Sequence, residues 1–151
     1  MSGVLRLGLV VSLFLGACGL SPAFGGKAEA AKMAVRDTRG IAGPWVGQWE
    51  SKGNGHKGSL RCLVEPVGDS RYLFRYRAGW GKLFSGNFPI TCEVAPAGNG
   101  VYAVKGTKSL LLFGTYHHDG KISPRKFEAT FRSGQKDLGS FSLRRPDGWK
   151  P

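Results

Sequence analysis

The chain is predicted to fold as an all-β domain, a small antiparallel up-and-down β-barrel of about eight strands. Three observations support this. Apolar residues recur at every second position in short runs from Trp45 to Leu143. Clusters such as Gly53-Asn54-Gly55, Gly79-Trp80-Gly81 and Gly98-Asn99-Gly100 punctuate those runs, and almost no segment has helical period. Finally, the tight connections favour neighbouring strands joined by hairpins over a Greek key.

The elements follow in order. Trp45, Gly47 and Trp49 alternate with Val46, Gln48 and Glu50. Leu60, Cys62 and Val64 share one face of the next run, which ends near Pro66. Tyr72, Phe74 and Tyr76 alternate with Leu73, Arg75 and Arg77, and Phe88, Ile90, Cys92 and Val94 line one side of a fourth strand. Val101 to Lys105 and Leu110 to His117 give two more. Asp119-Gly120 reads as a hairpin turn, because both central positions of a type I′ turn need positive φ. Runs centred on Ala129 and on Ser142 complete the set. Period-two patterning places Phe74, Phe88, Ile90, Phe127, Phe131 and Phe141 in the core. Side chains this large should fill an eight-stranded interior, leaving a ligand at most one mouth.

The N-terminus has another character. Arg6 precedes an apolar run, and Leu15-Gly16-Ala17-Cys18 follows it. The spacing resembles a bacterial lipobox, in which small residues admit a peptidase and the Cys thiol takes a diacylglycerol. That implies a lipoprotein signal peptide over 1–17, lipidation at Cys18, and a flexible tether over 18–42 ahead of a barrel at 43–146 and a tail at 147–151. Gly19 in place of Asp lacks the usual inner-membrane retention signal, so the resemblance points to the outer membrane. Plain secretion, with cleavage near Ala28-Glu29-Ala30, is the alternative and would leave the protein periplasmic or secreted.

Charge speaks to partners. Lys and Arg number 22 against 10 Asp and Glu, +12 overall; loss of the signal removes only Arg6 and leaves +11. Such a balance attracts polyanions. Arg61, Arg75 and Arg77 alternate to the outer face of adjacent strands, where their guanidiniums suit phosphate or carboxylate oxygens. Tyr72, Phe74 and Tyr76 point the other way, so no exposed aromatics accompany the arginines for base stacking. Nucleic acid is therefore disfavoured against anionic lipid or cell-wall polymer. A solvated basic face without a specific partner is the plain alternative.

Catalytic and metal signatures do not emerge. His117 and His118 are adjacent and would face opposite sides of a strand, and neither a Cys-x-x-Cys nor a clustered carboxylate set supplies ligands. No nucleophile elbow or phosphate loop is present, and no cofactor is implied. The expectation is a non-enzymatic protein. Cys62 and Cys92 both fall on the core face, but an intervening strand separates them by roughly 9–10 Å, which favours two free thiols.

Gly43-Pro44-Trp45 and Gly47-Gln48-Trp49 at the first strand, with Arg144-Arg145 at the last, resemble the calycin arrangement of lipocalins and avidins. The resemblance implies Trp45, Trp49 and Arg144 as residues of the ligand mouth or of barrel-end packing, with the arginine laid across the first-strand Trp. The form from Gly43-Pro44-Trp45 through Phe127–Ser133 to Arg144-Arg145-Pro146 is also similar to small bacterial envelope lipoproteins of uncharacterised activity. Together these imply a lipid-anchored envelope protein that binds an anionic or amphipathic component. The alternatives are a carrier of a small apolar ligand and an assembly partner of another envelope protein.

Overall fold

A computed structural model describes residues 37–80, 84–110, 114–133 and 137–150. The expected signal peptide, Cys18 and most of the expected tether lie outside the described residues. Eight strands follow one another: β1 (Gly43–Ser51), β2 (Lys57–Pro66), β3 (Arg71–Trp80), β4 (Phe84–Gly98), β5 (Val101–Leu110), β6 (Gly114–Ile122), β7 (Lys126–Ser133) and β8 (Asp137–Arg144). Each pairs antiparallel with the next, and β8 returns to β1, with Trp49 opposite Phe141, to close the barrel. The end where β1 begins and β8 finishes is called the base here, and the other end the mouth.

Alternation places the core as expected. Trp45, Cys62, Val64, Phe74, Val94, Val104, Phe127 and Leu143 are essentially inaccessible, and Ile90 and Phe141 are buried. Phe88 and Phe131 are half-buried against the same cluster. Ring centroids of Tyr76 and Phe141 lie 5.3 Å apart, those of Phe127 and Phe141 5.3 Å, and those of Phe74 and Phe127 5.5 Å. These contacts pack the middle of the barrel with aromatic rings, each worth on the order of 2 kcal/mol of burial. Cys62 on β2 and Cys92 on β4 are free and buried, with β3 between them.

Two expected turns fall within strands, and Gly79 and Trp80 of the first continue β3 to its end. Asp119-Gly120 lies inside β6, where Gly120 pairs with Val104 on one side and Ala129 on the other. A Cβ on Gly120 would fall 2.4 Å from that of Ala129, so the glycine permits close strand approach, not a hairpin. The reversal comes at Ser123, whose N–H donates to the Lys126 carbonyl. Likewise Leu110 ends β5 and does not begin β6; the polar stretch after Lys105 stays extended because its odd-numbered side chains face solvent. Gly98-Asn99-Gly100 is a true turn, with all three residues at positive φ.

Two departures from an even cylinder matter below. At the base, residues 37–42, which the sequence assigned to the tether, pack onto the barrel: Ile41 is fully buried. Toward the mouth, the β4–β5 ladder stops at Cys92–Gly106, although both strands continue. Pro89, three residues further toward the mouth, has no amide hydrogen to offer a neighbour. Its carbonyl instead accepts from Lys108 Nζ at 2.6 Å.

Candidate functional site

The outer wall of β2 and β3 carries the predicted arginines. Arg61 and Arg77 are direct cross-strand partners, and both are exposed. Side chains so placed stand about 5 Å apart at Cβ, and like charges there destabilise the pair. Val46 flanks Arg61 on β1, and Asn87 flanks Arg77 on β4. Arg75 shares the face but is already engaged, its Nε donating to Glu65 Oε2. Glu93 accepts from Ser70 Oγ at 2.8 Å. Among the described residues neither Arg61 nor Arg77 forms an ion pair, so two uncompensated guanidiniums sit side by side.

At the base the structure reassigns a role. Arg144 points outward, its Nη1 2.7 Å from Asp147 Oδ1. It is Arg145 that lies across Trp45, 4.0 Å from the ring, with Trp149 at 5.2 Å on another side. The reason is parity: Leu143 faces inward, so Arg144 must face out and Arg145 returns to the interior side. Its guanidinium donates to the carbonyls of Gly40 (2.7 Å), Pro124 (3.1 Å) and Pro44 (3.2 Å). Burial lowers its pKa to about 10, opposed by Asp37, and it stays charged at neutral pH. Gly43, at φ 102°, leaves room for Trp149, whose Cζ2 would lie 2.7 Å from a Cβ. The residues expected to form a tail thus join the seal.

The preceding segment completes the base. Trp45 Nε1 donates to the Ile41 carbonyl at 3.0 Å. Asp37 Oδ1 accepts from Tyr72 Oη at 2.9 Å, and the Arg39 guanidinium lies 5.5 Å from the Tyr72 ring and 5.7 Å from that of Tyr102. Trp49 is not part of this end. It faces inward nearer the mouth, and its Nε1 donates to the Gly79 carbonyl at 3.2 Å.

A third cluster was not assembled from the sequence. His118 points into the aromatic core while His117 is exposed, as alternation requires. Its Nε2 lies 2.8 Å from Tyr76 Oη, and its Nδ1 3.7 Å from Cys92 Sγ. Burial lowers the His118 pKa to about 4 and raises that of Cys92 to about 12. Cys62 is raised well above the usual thiol value, by burial first and then by the field of Cys92. All these groups are uncharged at neutral pH, so neither thiol stands ready as a thiolate nucleophile. The signal was available: inward parity at 76, 92 and 118 brings three reactive groups inside, but which of them touch depends on strand stagger.

A groove of about 570 Å³ crosses the opposite outer wall, lined by Gln48, Glu50, Asp119, Glu128, Ser140 and Ser142 among others. Its mixed charges select no single ligand class, and it lies outside the barrel.

Comparison with known proteins yields a fold likeness only. No protein-family model matches the chain, and no curated protein matches it. Among solved structures it is similar to a de novo designed fluorescence-activating beta barrel, with 16% sequence identity and a TM-score of 0.49. The likeness covers 70% of this chain and 93% of the design.

Proposed function

We propose that this protein is a non-enzymatic, lipid-anchored component of the bacterial envelope that binds phosphate-bearing anions through its outer β2–β3 wall. The observation that carries the reading is the Arg61–Arg77 pair. Two directly opposed, unneutralised guanidiniums oppose folding, and an anion placed between them would remove that repulsion while accepting two forked sets of hydrogen bonds. Asn87 adds a neutral donor at the edge of the same site. The lipid on Cys18 would hold the domain beside the surface that supplies those phosphates, so a weak site suffices. The aromatic packing inside the barrel weighs against the carrier alternative, because a ligand there would have to part rings already in contact.

The test uses vesicles of phosphatidylglycerol against phosphatidylcholine, with soluble wall polymer as a competing arm. Binding should favour the anionic vesicles and weaken steeply as salt rises. Replacing both arginines (Arg61→Gln with Arg77→Gln) should lower affinity about tenfold or more, at roughly 1 kcal/mol per surface cation. A control that removes equal charge elsewhere, Lys105→Gln with Lys121→Gln, should lose much less. Equal losses would leave only bulk basicity and defeat the site. The anchor is tested separately: intact mass should show a mature N-terminus at Cys18 carrying acyl chains, and a downstream N-terminus without lipid would refute it.

A further inference from the structure

The Cys–His–Tyr cluster has no part in the reading above, and it sits where the barrel wall parts. The β4–β5 ladder ends at the Cys92–Gly106 pair, and Gly106 is partly exposed. A Cβ on Gly106 would fall 2.5 Å from Cys92 Sγ and 3.1 Å from Ile90 Cδ1, so the glycine leaves the sulfur room on the interior side of β5. Gly106 pairs on its other side with His118, whose Nδ1 is 3.7 Å from the same sulfur. Beyond it, Pro89 cannot extend the ladder, and Lys108 bridges the gap from one strand to the other. The thiol–imidazole pair is itself buried, directly beneath this unpaired stretch of the wall.

The imidazole is oriented from behind. Tyr76 Oη is 2.8 Å from Nε2. With the ring proton on Nε2, the phenol oxygen accepts it, and the Nδ1 lone pair faces the sulfur. Metal-binding histidines are held by an outer partner in this way. We propose that Cys92 Sγ and His118 Nδ1 form a two-coordinate site for a soft monovalent metal cation of the Cu(I) class, reached through the β4–β5 gap beside Gly106.

Charge and coordination number select that class. On binding, the Cys92 thiol releases its proton to solvent and the thiolate takes the metal. Thiolate, neutral imidazole and a monovalent cation sum to zero, which an aromatic interior tolerates. A divalent ion on the same ligands would leave one uncompensated positive charge in the core. Thiolate and imidazole are also the donors that soft copper prefers. No group of three or more His, Cys, Asp or Glu could hold an ion among the described residues, so a tetrahedral zinc site is not offered. Bonds of about 2.0 Å to nitrogen and about 2.3 Å to sulfur would require the pair to open by about half an ångström for a linear arrangement. Cys62 hydrogen-bonds Tyr76 behind the imidazole and stands outside the proposed pair.

The experiment titrates the full reduced chain, carrying Cys18→Ser to remove the exposed thiol, with Ag(I) in chloride-free buffer and with Cu(I) under anaerobic conditions. One equivalent should bind, with thiolate-to-metal absorption in the ultraviolet and one proton released per ion. Cys92→Ser should weaken binding by about a hundredfold or more, and His118→Gln by about tenfold or more, while Cys62→Ser leaves it within about threefold. Should a core variant fail to fold, the unaltered ring reports directly: ¹⁰⁹Ag coupling to the His118 imidazole protons is expected. The proposal is overturned by absence of that coupling, by retention of binding in folded Cys92→Ser, by equal loss in Cys62→Ser, or by Zn(II) binding as tightly as Ag(I).

Discussion

The base and the mouth of the barrel are built from the same eight strands but treat their polar groups differently. At the base Arg145 supplies donors to three carbonyls and packs against two tryptophans, and the Asp37 carboxylate takes the Tyr72 hydroxyl. Toward the mouth the β4–β5 ladder stops short, and Ser51 Oγ is buried with no hydrogen-bond partner among the described residues. A closed ring of strands thus does not by itself satisfy its ends. The base is completed by residues before β1 and after β8, where the chain's two flanks meet. Among the described residues, strand ends and the β1–β2 connection reach the mouth, and the β4–β5 seam there runs past a proline. The tight end should carry the stability, and the loose end the access.

The largest effect expected from this contrast at neutral pH is at Arg145. Arg145→Leu would remove three hydrogen bonds to exposed or part-buried carbonyls together with the guanidinium contact on Trp45, and should destabilise the barrel by about 2 kcal/mol in denaturant unfolding, whereas Arg144→Ala should stay within about 0.5 kcal/mol. Equal effects would mean that the base clamp is not what secures this end.

Next comes His118, buried among rings midway between the ends. Its folded pKa is about 4 against an ordinary 6.5. The unfolded chain therefore takes up the proton first, so stability in the metal-free protein is full above pH 6.5 and falls as pH drops toward 4. The loss attributable to this residue is roughly 3 kcal/mol over that window. In His118→Gln the same acid limb should flatten, and an unchanged limb would assign acid sensitivity to other groups.

Smaller effects belong to the mouth. Pro89→Thr restores an amide hydrogen and should let the ladder run on, slowing hydrogen exchange of β5 amides between Thr107 and Ser109 and adding about 1 kcal/mol. Unaltered exchange would show that the seam is held open by something other than the missing donor. Ser51→Ala removes the orphan hydroxyl and should be neutral or stabilising by about 0.5 kcal/mol, read as a small rise in Tm. A clear loss of stability would mean that the hydroxyl is satisfied after all.

Much of the architecture was legible in the chain. Period-two alternation placed Trp45, Phe74, Phe127 and Phe141 in the core, because residues two apart on a strand must share a face. The same rule separated Arg61 and Arg77 from the interior. The turn signal misled at Asp119-Gly120, because glycine permits a turn but equally permits close packing between strands, and local sequence does not distinguish the two. The resemblance to calycins indicated that a last-strand arginine should meet the tryptophan and pointed to Arg144, whereas parity from the inward Leu143 selects Arg145.

Strand identity and inward or outward facing thus belong to the sequence, since both follow from local stereochemistry and the period of the pleat. Contacts between strands belong to the closed barrel. That Arg61 stands opposite Arg77, or that Cys92, Gly106 and His118 lie on neighbouring strands at one level, depends on stagger. Stagger is set cooperatively by the requirement that all eight ladders close at once around a packed interior.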